Sequence, residues 1–166
     1  MKMTILRNKK ISDFLTANKN KRIIHLWGGG SSGKSHGIAQ YLIRYKWLGE
    51  KGIGIIALRK VRPAVRQSCW KLIHYWLDKM GLKAGTHYKE NKSEMELVAY
   101  NGNIFRFDGL DNIYKKRSIE GINYVWIEEP AAIGHDAAFA ERDFLQLDML
   151  CRAPNQNGVN QIFLTY

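Results

Sequence analysis

Apolar residues along the chain fall into two patterns, short continuous runs and stripes at helical spacing. Arg22-Ile-Ile-His-Leu-Trp27, Ile53-Gly-Ile-Ile-Ala-Leu58, Asn123-Tyr-Val-Trp-Ile127 and Gln161-Ile-Phe-Leu-Thr-Tyr166 have the length and composition of buried strands. Between the first two, Ile38, Tyr41, Leu42 and Tyr45 recur at i, i+3, i+4 and i+7, predicting a helix that Gly49 ends. Pro63 opens a longer stripe of Val65, Cys69, Leu72, Ile73, Trp76, Leu77 and Met80, closed by Gly81. A further helix is expected around 136–152. Ile11, Phe14 and Leu15 form a small apolar group that Ser12 would cap, within an otherwise basic and polar segment 1–21.

Residues 95–107 carry two β-rich runs around Asn101-Gly102, the dipeptide that a type I′ turn prefers because both residues need positive φ. A polar turn at Pro154–Asn160 precedes the last run. Strands alternating with helices, with one antiparallel hairpin inserted near 95–108, predict an α/β fold. Its central sheet is mostly parallel and flanked by helices, in a single domain over 1–166. No repeat, low-complexity tract or linker interrupts it.

The run ending at Trp27 leads into Gly28-Gly29-Gly30-Ser31-Ser32-Gly33-Lys34-Ser35, a complete G-x-x-x-x-G-K-[ST] phosphate loop. Its glycines let backbone N–H groups turn inward onto phosphate oxygens, and the following helix adds its positive dipole end. Lys34 would reach the β- and γ-phosphates of ATP, and the Ser35 hydroxyl would ligate Mg²⁺. Strand, loop and helix stand in the order such a loop requires.

Hydrolysis needs a carboxylate partner. The strand at 123–127 stops at Glu128-Glu129-Pro130. In additional-strand P-loop ATPases an acid ending such a strand serves Mg²⁺ and the next polarises the attacking water. The first is usually Asp; here it is Glu, one methylene longer. On its own, the pair also reads as a solvated turn. The strand at 53–58, between the two motifs, is what that ATPase class requires. It argues against simple nucleotide kinases and small GTPases, and no guanine-reading Asn-Lys-x-Asp is present.

Charge narrows the partners. The formal net charge is +11, and it is uneven: residues 1–92 hold 20 Lys and Arg against 4 Asp and Glu, residues 93–166 hold 6 against 11. A basic excess of this size fits a polyanion, with solubility as the plainer alternative. No apolar run is long enough to span a bilayer, so no membrane partner is expected. Cys69 and Cys151 lack metal spacing and read as core thiols of a reducing compartment. The five histidines show no ligand or triad spacing, and the five tryptophans read as packing.

Phe107-Asp-Gly-Leu-Asp111 and Arg117-Ser-Ile-Glu-Gly-Ile-Asn-Tyr-Val-Trp-Ile-Glu-Glu129 resemble the large terminase subunit of tailed bacteriophages. So do Leu58-Arg-Lys-Val-Arg-Pro-Ala-Val-Arg-Gln-Ser68, the phosphate loop and the closing Phe163-Leu-Thr-Tyr166. The resemblance spans residues 22 to 166. It implies the ATPase domain of a motor that hydrolyses ATP to drive double-stranded DNA into a procapsid. By that analogy Gly28–Ser35 binds the triphosphate, Ser35 and Glu128 serve Mg²⁺, Glu129 activates water, and Thr165 belongs to the coupling motif. It also implies a homo-oligomeric ring on the portal, a small terminase subunit as partner, and the cytoplasm of an infected or lysogenic bacterial host.

Three departures stand out. The family's arginine inside the phosphate loop is replaced by Gly30 or Ser31. The arginine that acts in trans in some relatives aligns nearest to Ser118, which makes Arg117 the catalytic candidate. The family's nuclease domain is absent from this sequence, so nuclease activity is not expected of it. Another DNA-translocating ATPase or helicase core, or a catalytically silent nucleotide-binding assembly module, remain the alternatives.

Overall fold

The computed structural model describes residues 8–113, 119–130 and 141–166. The chain runs α1 (Lys9–Ala17), β1 (Ile23–Leu26), α2 (Lys34–Tyr41), β2 (Gly54–Arg59), α3 (Arg62–Val65), α4 (Lys71–Lys79), β3 (Tyr88–Asn91), β4 (Glu96–Ala99) and β5 (Ile104–Gly109). It continues through α5 (Leu110–Ile113), β6 (Tyr124–Glu128), α6 (Glu141–Leu150) and β7 (Gln161–Thr165). α2 passes into a π-helical stretch, Leu42–Trp47, and a second one, Arg66–Trp70, joins α3 to α4. Each stripe read from the sequence is therefore one rod whose pitch widens partway along.

All seven strands form one sheet in the order β1-β7-β6-β2-β5-β4-β3. The first five are parallel and β4 and β3 are antiparallel. β6 and β7 are buried on both faces, which explains their unbroken apolar sequence. The larger core lies under α1, α2 and the α3–α4 rod, with Trp47, Phe105, Phe107, Trp126 and Phe163. The opposite face packs Ile56, Val125, Ile127 and Ile162 against Leu147 and Cys151.

The strand order corrects one expectation. The strand between the phosphate-loop strand and the acidic strand is β7, whereas the 53–58 strand pairs on the far side of β6. Chain order gives no hint of this, because β7 follows β6 in sequence yet lies between β6 and β1 in the sheet.

Local details differ as well. Asn8, not Ser12, caps α1: its Oδ1 accepts from the Ile11 N–H at 3.3 Å. The hairpin is present, but its turn is not type I′. Only Gly102 has positive φ, and its N–H donates to Ala99 O at 2.9 Å. Asn101 instead donates from Nδ2 to Trp47 O at 3.1 Å, stitching the turn to the end of the first helical rod. β3, which adds an edge strand to the hairpin, carried no sequence signal. α6 falls inside the helix expected over 136–152, whose first residues lie outside the described ones.

β1 forms one edge of the sheet and alternates exposed and buried positions. Trp27, which read as packing, continues that alternation and is 88% exposed beside the phosphate loop. Trp47 and Trp126 are fully buried as expected. Among the described residues no helix is long and apolar enough to cross a membrane.

Candidate nucleotide site

Three strand ends meet at the top of the sheet. The register sets Leu26 of β1 opposite Thr165 of β7, and Thr165 opposite Glu128 of β6. The loop that follows β1 and the acid that ends β6 therefore flank Thr165. Gly28, Gly30, Ser31, Ser32, Gly33, Lys34 and Ser35 line one cleft with Glu128, Glu129 and Thr165, about 510 Å³ in volume. Gly29 contributes through its carbonyl, which accepts from Lys34. Arg117 lies outside the described residues.

The loop's shape follows from its sequence. Gly33 takes φ +79° at the N-cap of α2, where an added Cβ would be strained and would sit 3.3 Å from Asn8 Nδ2. No side chain caps α2, so its first N–H groups face the cleft with the dipole's positive end. Lys34 folds back over the loop: its Nζ donates to Gly28 O at 2.6 Å, Gly29 O at 2.8 Å and Ser32 Oγ at 2.8 Å. The ammonium is thereby held against the loop by the loop's own oxygens.

Thr165 is 1% exposed, flanks both motifs by register and is hydrogen-bonded to the acid strand. Its Oγ1 accepts from Trp126 Nε1 at 3.0 Å and donates to Ile127 O at 3.4 Å. Its own carbonyl accepts from the Glu129 N–H at 2.8 Å. Tyr166 N–H donates to Leu26 O at 3.1 Å, closing the β1 side.

The two glutamates diverge. Glu128 is 7% exposed and turns toward the helical rod, where the fully buried Cys69 thiol donates to its Oε2 at 3.2 Å. Burial first, and then the facing Glu128 charge, push the Cys69 thiol well above its ordinary range. Glu129 adopts φ +53°, a left-handed conformation uncommon outside glycine. Its side chain is 54% exposed and ion-pairs with Arg59 at the end of β2. Of the three described non-glycine residues with positive φ, Ser31 and Glu129 both belong to this cleft. Backbone held in that region costs about 1–3 kcal/mol per residue and clusters at functional sites.

Arg59 and Cys69 were missed as site residues. The sequence placed Arg59 at a strand end and Cys69 on a core stripe; neither pairing is visible before β2 is known to lie beside β6. The level of Arg59 then follows from the register Leu58↔Ile127, and Cys69 meets Glu128 from the helical rod.

Among the described residues no cluster of three or more His, Cys, Asp or Glu could hold a metal. Among the oxygen groups that line the cleft are the Ser35 hydroxyl and the Glu128 carboxylate. That set fits Mg²⁺, which uses one or two protein oxygens together with waters and substrate phosphates.

Comparison with known proteins adds the following. The family described as phage terminase large subunit matches residues 20–165. The chain is 30% identical over 132 residues to the PBSX phage terminase large subunit of Bacillus subtilis (strain 168), covering 76% of this chain and 29% of that protein. It thus spans under a third of that relative's length. Among solved structures it is similar to the large terminase of a thermophilic bacteriophage, with TM-score 0.68 and 14% identity, covering 98% of this chain and 39% of that one. The ADP complex of that terminase matches at TM-score 0.68 and 15% identity, covering 94% and 37%. The bacteriophage phi-29 viral genome packaging motor assembly matches at TM-score 0.57 and 14% identity, covering 93% and 45%. At these identities the structures speak for the fold.

Proposed function

Since the chain belongs to the phage terminase large subunit family, we propose that it is an ATP-hydrolysing motor domain that drives double-stranded DNA into a procapsid. The observation that carries this reading is the register Leu26–Thr165–Glu128, which sets the phosphate loop and the acid pair at one cleft. The ADP complex of the thermophilic phage terminase supports the same kind of ligand here.

In this reading the N–H groups of Gly28–Ser35 and the N-terminus of α2 hold the triphosphate. Lys34 shifts its ammonium from the loop's own oxygens to the β- and γ-phosphates. Ser35 and Glu128 hold Mg²⁺, which when bound neutralises charge on the phosphate oxygens. Glu129 accepts the proton of the attacking water as its oxygen bonds to the γ-phosphorus and the bond to ADP breaks. For that its carboxylate must leave Arg59. Thr165, bonded to the acid strand and followed by Tyr166, whose N–H donates to Leu26 O at the start of the loop, passes the state of the loop to the acid strand. Arg117 is the candidate to complete a neighbour's site, stabilising charge on the transferring phosphoryl group.

DNA is the polyanion proposed for the basic part of the chain. A ring on the portal, a small terminase subunit as partner and the cytoplasm of a bacterial host are part of the same proposal, supported by family membership. The Arg59–Glu129 pair favours one second reading, a nucleotide-binding module that does not turn over alone.

ATP turnover per chain, measured across protein concentration with double-stranded DNA present, tests the proposal. Turnover that rises with concentration is the expected result and means that a neighbour completes the site. Constant turnover would remove the trans role of Arg117. Nucleotide binding without turnover at any concentration would overturn the motor reading in favour of the silent module.

A further inference from the structure

We infer that Cys69 is a positioning residue for Glu128, its thiol fixing the direction in which the carboxylate faces the cleft. This rests on the proposed metal role of Glu128. Glu128 is nearly buried, so its charge needs fixed partners, and the Cys69 thiol donates directly to Oε2 at 3.2 Å. Glutamate also has one more side-chain torsion than aspartate. A carboxylate at the end of that longer arm has more orientations to lose before it can serve an ion.

Cys69 is suited to the task by its place. It lies on the π-helical stretch Arg66–Trp70, and π-helical turns often re-aim side chains at functional sites. Its neighbour Ser68 lines the cleft and anchors Oγ to Ala64 O at 2.9 Å, with a longer contact of 3.7 Å to the Cys69 sulfur. A thiol is apolar enough to pack within the core and still donates one hydrogen bond. A hydrocarbon of the same size would fill the space and leave Oε2 without this donor.

The test compares Cys69→Val, a slightly larger apolar side chain that fills the space and removes the donor, with Cys69→Ser, which keeps a donor. Thermal unfolding first shows that each variant folds. Binding of a fluorescent ATP analogue is then titrated with Mg²⁺ and repeated in chelator, so that no turnover is needed. Cys69→Val should need about ten-fold more Mg²⁺ for half-maximal effect, with affinity in chelator unchanged. Cys69→Ser should recover most of that loss. The infrared S–H stretch should also shift in Glu128→Gln, because the acceptor's charge is gone.

Wild-type Mg²⁺ dependence in Cys69→Val would overturn the inference. So would equal impairment in Cys69→Ser, which would point to packing alone. If Cys69→Val does not fold, Cys69→Ser and the S–H band decide: an unshifted band in Glu128→Gln overturns the contact. A shifted band with wild-type Mg²⁺ dependence in Glu128→Gln would remove the metal role of Glu128 and the positioning role with it, while leaving the hydrogen bond standing.

Discussion

Replacing Thr165 by valine should cost about 2 kcal/mol of folding stability. Valine keeps the shape and removes both Oγ1 hydrogen bonds. Trp126 is fully buried, so its indole N–H, 3.0 Å from Oγ1 in the native protein, is left with no acceptor. An unmet buried donor costs about 1–3 kcal/mol. The 3.4 Å bond to Ile127 O adds little, and the hydroxyl no longer has to be desolvated. For a chain of this size the loss lowers Tm by about 4–8 °C. Urea unfolding is the assay, with an unchanged slope showing that the transition still exposes the same surface. Trp126→Phe in the valine background should cost about 1–2 kcal/mol less than the two single changes together, since it removes the orphaned donor. Nucleotide affinity should survive Thr165→Val, because the loop's own contacts are intact, while turnover falls. Stability within about 0.5 kcal/mol of wild type, or strict additivity in the double variant, would refute the anchoring of Thr165 to the acid strand.

Arg59→Ala should cost under about 1 kcal/mol, because its partner Glu129 is half open to water. Basal ATP turnover should rise as Glu129 is released, and a fall in steady-state assays would mean that Arg59 assists the reaction directly. Asp148 is held below the ordinary carboxyl value of 3.8 by hydrogen bonds from Arg152 and Arg22. A depressed carboxyl stabilises the folded state above 3.8, and that contribution is lost as pH falls through the lowered folded value. Asp148→Asn should therefore lose stability at neutral pH and converge with wild type in acid, read by urea unfolding against pH; a constant difference at every pH would contradict this. If DNA contact is mainly to phosphates, affinity should fall steeply with salt and depend little on sequence; a flat salt response in a binding titration would leave the basic segment as solubility charge.

The features legible in the sequence are those written in consecutive residues. The octapeptide at 28–35, the acids ending the 123–127 run and the hairpin around Gly102 each declare themselves locally. Thr165 was found only through the family resemblance. The insertion of β7 between β1 and β6 was hidden, because parallel neighbours are chosen by long-range packing and not by chain order. Arg59 depends on β2 lying beside β6, which brings it to an acid 70 residues away, and Cys69 meets an acid 59 residues away from the helical rod packed on the sheet. Trp27 misled because it extends an apolar run, yet β1 is an edge strand and one of its faces is uncovered. Asn101 has the type I′ residue but spends its side chain on the Trp47 carbonyl, a tertiary bond that overrides the local preference.

Glu129 is proposed to activate the water that cleaves ATP held by the phosphate loop. The most direct test of this role is a single-turnover experiment on Glu129→Gln with radiolabelled ATP, Mg²⁺ and double-stranded DNA. The variant should retain ATP as tightly as wild type and return it uncleaved, while wild type releases labelled phosphate. Phosphate release at the wild-type rate from Glu129→Gln would contradict it and place the base elsewhere.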